Sequence, residues 1–340
     1  MKSLRRMILA ALGLTLVVVV LGAYVRLSDA GLGCPDWPGC YGHATPAQAV
    51  SQIRAAESVQ PGGPVSLPKA WKEMIHRYLA ASLGVLIIAI AIQSWRKRRE
   101  PGSAPRIATA LIGVVVFQGL LGKWTVTLLL KPAIVTGHLL GGLTTLALLA
   151  WLALRAFAIG RRPVPNGLLA TARLGLLLLA VQIVLGGWTS TNYAALACQD
   201  LPLCHGEWLP DTDFGNAFHV VRELGMDADG ELLSQQALTA IHWSHRAGAL
   251  VVGSYLLLLA VLLVRHRALR ALGAVLSLAL VAQLGLGIAN VLNSLPLPLA
   301  VAHNAGAALL LLVLVAINHA LARDHASRPA LGSTHANAYA

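Results

Sequence analysis

Four histidines stand inside apolar stretches of the chain: His76, His138, His245 and His303. An ionisable side chain is costly there, and its default reading is functional. The spacing repeats, with 62 residues from His76 to His138 and 58 from His245 to His303. Each follows a polar or proline-containing segment, so at about 1.5 Å rise per residue all four lie within about two helical turns of one membrane face. Two histidines at one depth on two helices of a bundle can clamp a flat metal ring from both sides. Axial ligation of haem iron is an established use of that arrangement. A single intramembrane histidine more often hydrogen-bonds a neighbour, but four at repeated positions beside small residues point to ligation. "GHLLGG" around His138 and "AHNAGAA" around His303 remove side-chain bulk; "HRYLAAS" and "HRAGA" do so less completely.

The second half offers both His242 and His245. The His-Arg dipeptide aligns His245-Arg246 with His76-Arg77, which selects His245 and sets His242 opposite Glu73. Glu73 lies three residues before His76, on the same helical face. It reads either as a boundary carboxylate paired with Lys69, Lys72 or Arg77, or as a proton-handling or orienting group of the first site. Arg26, Arg77 and Arg246 stand at membrane edges, placed to neutralise haem propionates or to anchor lipid headgroups. Trp71, Trp124, Trp188 and Trp243 read as interfacial aromatics. His43, His205 and His219 read as solvated loop residues.

The elements that must carry these residues are membrane spans. The 340 residues are 56% hydrophobic and 12% charged, with a mean hydropathy of +0.68, which excludes an ordinary soluble domain. Eight apolar stretches, at roughly 7–25, 74–95, 106–129, 133–154, 168–188, 236–264, 269–291 and 299–321, approach or exceed the length needed to cross about 30 Å of hydrocarbon. The first lacks a small-x-small cleavage site and is expected to be retained. With the N-terminus inside, 17 of the 26 basic residues but only Glu100 and Asp324 among the 14 acids fall on the cytoplasmic side. That is the positive-inside bias of a membrane protein, so the net charge of +12 does not call for nucleic acid. Eight spans then put both termini in the cytoplasm.

The long connections, 26–73 and 189–235, hold twelve acids and all four cysteines. They carry nearly the same phrase, "CPDWPGCYGH" and "CQDLPLCHGE". In a periplasmic setting Cys34–Cys40 and Cys198–Cys204 are most simply two short disulfides. A metal site fits the five-residue gap less well, and a redox relay through one exposed pair stays open. The phrases belong to a wider duplication, with "VLGAYVRLSDAGLG" answered by "VLGGWTSTNYAALA" and "FQGLLGKWTVTLLLKPAIVTGHLLGGL" by "AQLGLGIANVLNSLPLPLAVAHNAGAA". Two four-helix halves, 1–160 and 161–323, related by a pseudo-two-fold along the membrane normal, are the economical reading. Residues 324–340 read as a disordered cytoplasmic tail. The purpose of the insert "ATPAQAVSQIRAAESVQPGGPVSLP" in the first loop does not follow from its sequence.

The Glu73–Arg77 segment, His138, His245-Arg246, His303 and the first-loop cysteines together resemble the bacterial haem A synthase family, over roughly residues 7 to 321. The resemblance implies oxidation of the C8 methyl of haem O to a formyl group by successive hydroxylations. It implies substrate haem O between His76 and His138 with Glu73 beside it as the catalytic group, and a permanent haem b between His245 and His303. It carries a functional disulfide onto Cys34–Cys40, and less firmly one onto Cys198–Cys204. Membrane lipid, a haem O-forming prenyltransferase and cytochrome oxidase assembly factors are the implied partners in the bacterial inner membrane, with room for a homo-oligomer. No flavin or nicotinamide fingerprint is present, since the glycines of "GHLLGG" fall within a helical stretch. The competing readings are a diheme b-type electron-transfer subunit, which needs the same four histidines, and a parallel-repeat transporter, which should purify colourless.

Overall fold

The computed structural model describes residues 1–160 and 167–322. Arg161, Arg162 and the tail segment 324–340 lie outside the described residues. Among those described, the chain is all-helical, with no strands beyond isolated bridges. Eight helices are long and apolar enough to span a membrane: α1 (Lys2–Leu27), α3 (Leu67–Arg96), α4 (Pro105–Thr127), α5 (Pro132–Ala156), α6 (Leu168–Thr191), α8 (Gln235–Arg265), α9 (Arg270–Leu292) and α10 (Leu297–Leu321). Even 23 residues reach about 35 Å, more than the hydrocarbon core. Short helices α2 (Val50–Val59) and α7 (Phe214–Ala217) lie in the two long connections. The eight long apolar helices make the chain a multi-pass membrane protein.

Helix starts are written in the sequence. Pro105, Pro132 and Pro298 occupy first-turn positions, where a missing N–H costs nothing. Ser66 and Ser234 cap α3 and α8, their hydroxyls accepting from the N–H groups of Lys69 (3.4 Å) and Ala237 (3.1 Å). The Ser66 cap explains one departure from expectation. Helix α3 begins seven residues before the apolar stretch at 74, because "LPKAWKE" is already helical ahead of it. Two four-residue turns join α4 to α5 and α9 to α10. Each reverses the chain through two left-handed residues, Leu129 and Leu130 in the first and Ser294 and Leu295 in the second.

Helices α1, α3, α4 and α5 pack together, as do α6, α8, α9 and α10; α5 and α10 join the groups through α6 and α1. Away from the long loops, Leu4, Ile8, Leu83, Ile87, Ile90, Leu111, Leu149 and Leu152 make one tight apolar cluster. A second, larger one runs through α6, α8, α9 and α10 and takes in Val19 and Leu146 from the other group. Within the bilayer such packing rests on close van der Waals fit. On the loop side the two groups are tied by polar contacts. Arg26 donates to Tyr193 Oη (2.9 Å) and the Ser190 carbonyl (3.1 Å), and Lys131 pairs with Glu223 (2.7 Å).

Trp188 differs from its expected interfacial role. It is buried, donates from Nε1 to the Ala217 carbonyl (2.9 Å) and lies under the Arg222 guanidinium. Arg222, itself buried, also donates to Asn192 Oδ1 (2.6 Å) and the Asn216 carbonyl (3.1 Å). Arg222→Ala should therefore leave buried acceptors unpaired and cost about 1.5–3 kcal/mol. Thermal unfolding in detergent should fall accordingly, with Arg54→Ala on the exposed face of α2 unchanged.

Candidate functional site

The repeated cysteine phrases fold into matching knots. Cys34–Cys40 and Cys198–Cys204 are both disulfide-bonded. The acid two residues after the first cysteine closes each loop. Asp36 accepts from the N–H groups of Tyr41 (2.6 Å) and Gly42 (2.7 Å), and Asp200 from those of His205 (2.9 Å) and Gly206 (2.8 Å). The Gly206 N–H, first among several donors, holds the Asp200 carboxyl below its ordinary pKa. Gly42 and Gly206 sit at positive φ, which lets the chain turn back immediately after the second cysteine. The first-loop insert supplies α2, whose Ile53 is fully buried with Ala49, Met74 and the Cys34–Cys40 disulfide. The insert is a cover for that disulfide.

Each knot is clasped by the helix below it, and here Glu73 finds its place. Its Oε2 accepts from the Cys34 N–H (3.0 Å), and its Oε1 pairs with Arg77. Arg77 reaches on to the carbonyls of Asp36 (2.8 Å) and Gly39 (2.7 Å). In the second half His242 stands where Glu73 does: its Nδ1 accepts from the Cys198 N–H (3.2 Å), and Arg246 Nε lies 3.3 Å from its Nε2. Arg246 donates to the carbonyls of Asp200 (2.8 Å), Leu203 (2.9 Å) and Cys198 (2.6 Å). Glu73 and His242 are both 4% exposed. Two different side chains thus do one structural job, and only the first is a carboxylate. Lys69 and Lys72, the other partners considered for Glu73, are engaged with the Gly63 carbonyl and the Tyr24 ring. Arg26, Arg77 and Arg246, read from the sequence as propionate partners or lipid anchors, all donate to backbone carbonyls, while Arg26 Nε is buried without a partner.

Below the knots the four histidines meet in pairs. The ring centres of His76 and His138 are 6.4 Å apart, and those of His245 and His303 are 6.5 Å apart. One metal ion shared by two imidazoles needs a bond of about 2 Å on each side. With about 1.1 Å more from nitrogen to ring centre, the separation demanded is close to 6.3 Å. Both pairs meet it, and the rings cross at 79° and 88°. Nδ1 of His76, His138 and His303 is buried without a partner. Among the described residues no cluster of three or more His, Cys, Asp or Glu could hold a bare ion. A ligand set of two imidazoles fits haem, whose macrocycle supplies the other four donors.

Glycines that sequence reasoning passed over admit the rings. A Cβ on Gly22 of α1 or Gly186 of α6 would stand 2.9 Å from Cε1 of His76 or His245, respectively. Gly122 of α4 and Gly287 of α9 face His138 and His303 in the same way, at 3.4 and 3.1 Å. The signal was available, since each glycine falls within one of the phrases that repeat between the halves. Gly186→Leu should push His245 off its axis and strip haem from that pair, read as a loss of about half the haem absorbance per chain. Overpacking of this kind costs about 1–3 kcal/mol.

The chain resembles known proteins over nearly its whole length. A family model described as cytochrome oxidase assembly protein (COX15-CtaA) matches residues 5–315. A protein named heme A synthase from Shewanella oneidensis is 45% identical over 312 residues, covering 90% of this chain and 93% of the relative. Proteins of the same name from Sphingopyxis alaskensis and Caulobacter vibrioides are 29% and 30% identical, covering 95% and 88% of this chain and 93% and 90% of those relatives. The chain belongs to the COX15-CtaA family of cytochrome oxidase assembly proteins.

Proposed function

We propose that this protein is a haem A synthase, oxidising the C8 methyl of haem O to the formyl group of haem A. The observation that carries this reading is the two histidine pairs at iron-sharing separation, in a chain closely related to proteins of that name. His76 and His138 hold the substrate haem O, and His245 and His303 hold a resident haem b for electron transfer. The redox chemistry belongs to the haem groups; the protein supplies position, tuning and exclusion of water. Glu73 is the catalytic group of the first pocket, a carboxylate placed to hold or move a proton and kept in place by Arg77 and the Cys34 N–H. His242 takes over the anchoring in the second pocket without the carboxylate chemistry, which supports a division of labour between the halves. Arg77 and Arg246 serve first as clamps on the disulfide knots. Arg26, with an unpartnered Nε one turn from the glycine facing His76, is the propionate partner.

The halves, 1–160 and 161–323, are read as products of duplication, with the pseudo-two-fold along the membrane normal. The protein resides in the bacterial inner membrane with both termini cytoplasmic and the disulfide knots periplasmic. A haem O-forming prenyltransferase delivers its substrate, oxidase assembly factors take its product, and a homo-oligomer is the assembly to test for. No observation favours the diheme electron carrier. Expression in a strain that makes haem O but no haem A tests the reading. Formyl porphyrin should be formed with the native chain and not with Glu73→Gln; its absence with the native chain would refute the synthase assignment.

A further inference from the structure

Three of the four histidines have a glutamine on the neighbouring helix, one turn before the glycine that faces the ring: Gln118 before Gly122, Gln182 before Gly186 and Gln283 before Gly287. In the same three places the residue three after the histidine is glycine. At Gly141, Gly248 and Gly306 the glutamine amide lies where a Cβ would stand. At the fourth place the corresponding residues are Val18 on α1 and Leu79 on α3. Glutamine and glycine therefore occur together or not at all, because the amide needs the room that a side chain would fill.

Two of the amides reach their histidines. Gln182 Nε2 donates to the His245 carbonyl (2.9 Å) and lies 3.0 Å from its Nδ1, and Gln283 Nε2 lies 3.4 Å from His303 Nε2. One amide atom of each glutamine is buried without a partner: Nε2 of Gln118, and Oε1 of Gln182 and Gln283. A ligating imidazole carries N–H on its other nitrogen and needs an acceptor, which the unpaired Oε1 of Gln182 and Gln283, and that of Gln118 once its amide is turned, supplies. An outer partner of this kind fixes the ring of a metal-ligating histidine. Nδ1 of His76, like that of His138 and His303, is buried with no partner; His76 differs in that its corresponding positions are apolar, so no amide stands beside it.

We propose that Gln118, Gln182 and Gln283 are positioning residues for His138, His245 and His303, and that the Val18–Leu79 pair leaves His76 the exchangeable ligand. His76 is then the side from which the first pocket opens, next to Glu73, while the second pocket is held from both sides. This rests on the haem reading above. A pocket that must release its product needs one loose ligand, and a pocket that keeps its cofactor needs none.

Carbon monoxide titration of the reduced, haem-loaded protein, followed by visible absorption, tests it. In the native chain only the first-pair haem should bind carbon monoxide. Val18→Gln with Leu79→Gly should weaken that binding about tenfold, the size of one net hydrogen bond. Gln182→Val with Gly248→Leu should make the second pair reactive, and Gln182→Leu alone, which adds no bulk beside the ring, should do so in part. Unchanged carbon monoxide binding in these haem-loaded variants, or equal reactivity of both pairs in the native chain, would overturn the proposal. Failure of the underlying haem reading looks different: the native protein would purify without haem.

Discussion

Alanine at His76 or His138 should end haem A formation while the His245–His303 pair keeps its haem. The two pairs lie in separate helix groups, each with its own facing glycines, so loss of a ligand in one leaves the other standing. Removing an outer-shell partner of a metal ligand already costs about 10–100-fold, so loss of the ligand itself should exceed about 100-fold in product. Chromatography of extracted haems from each variant provides the measurement. His245→Ala and His303→Ala should give the converse result, retaining the substrate porphyrin and losing the resident haem. If any one of the four substitutions empties both pockets, the pairs are not independent sites.

Glu73→Gln should lower formyl formation by about 10²–10⁴-fold, the range of general acid–base contributions, with haem content unchanged. The amide keeps the side chain's volume and an acceptor for the Cys34 N–H, so the knot should survive. Glu73→His is the stricter variant, because the second half already shows a histidine holding the equivalent N–H. It should fold, keep the Cys34–Cys40 disulfide and remain inactive. Arg77→Ala supplies the contrast. It leaves the carboxylate buried without its partner, at a cost of about 3–5 kcal/mol, and should lower thermal stability as well as activity. Full activity in a stable Glu73→His protein would reduce Glu73 to a loop anchor.

Much of this was legible in the chain. The eight spans followed from apolar length, and the ligand candidates from histidines recurring at matching places inside those spans. The paired cysteines were legible because two short phrases used every cysteine in the chain. What escaped has a common physical cause: it depends on which residues of different helices face one another. The Glu73–Cys34 bond joins positions 39 apart, and the His242–Cys198 bond joins positions 44 apart. Glycines opposite the rings look like ordinary small residues of a membrane helix until the imidazole is placed against them. Trp188 looked interfacial because it ends a span, yet the second loop folds over it and supplies a carbonyl for its indole N–H. The insert of the first loop has the composition of a linker, and only its packing on the disulfide reveals the one buried face of α2.

On the proposed function, one pocket turns over haem O while the other keeps its haem. The most direct test is the identity and amount of haem extracted from the native protein after co-expression with a haem O-forming prenyltransferase, by chromatography and mass spectrometry. The extract should contain protohaem together with farnesylated porphyrin that includes the formyl product. Protohaem alone, filling both histidine pairs with no farnesylated species, would contradict it and make the chain an electron carrier.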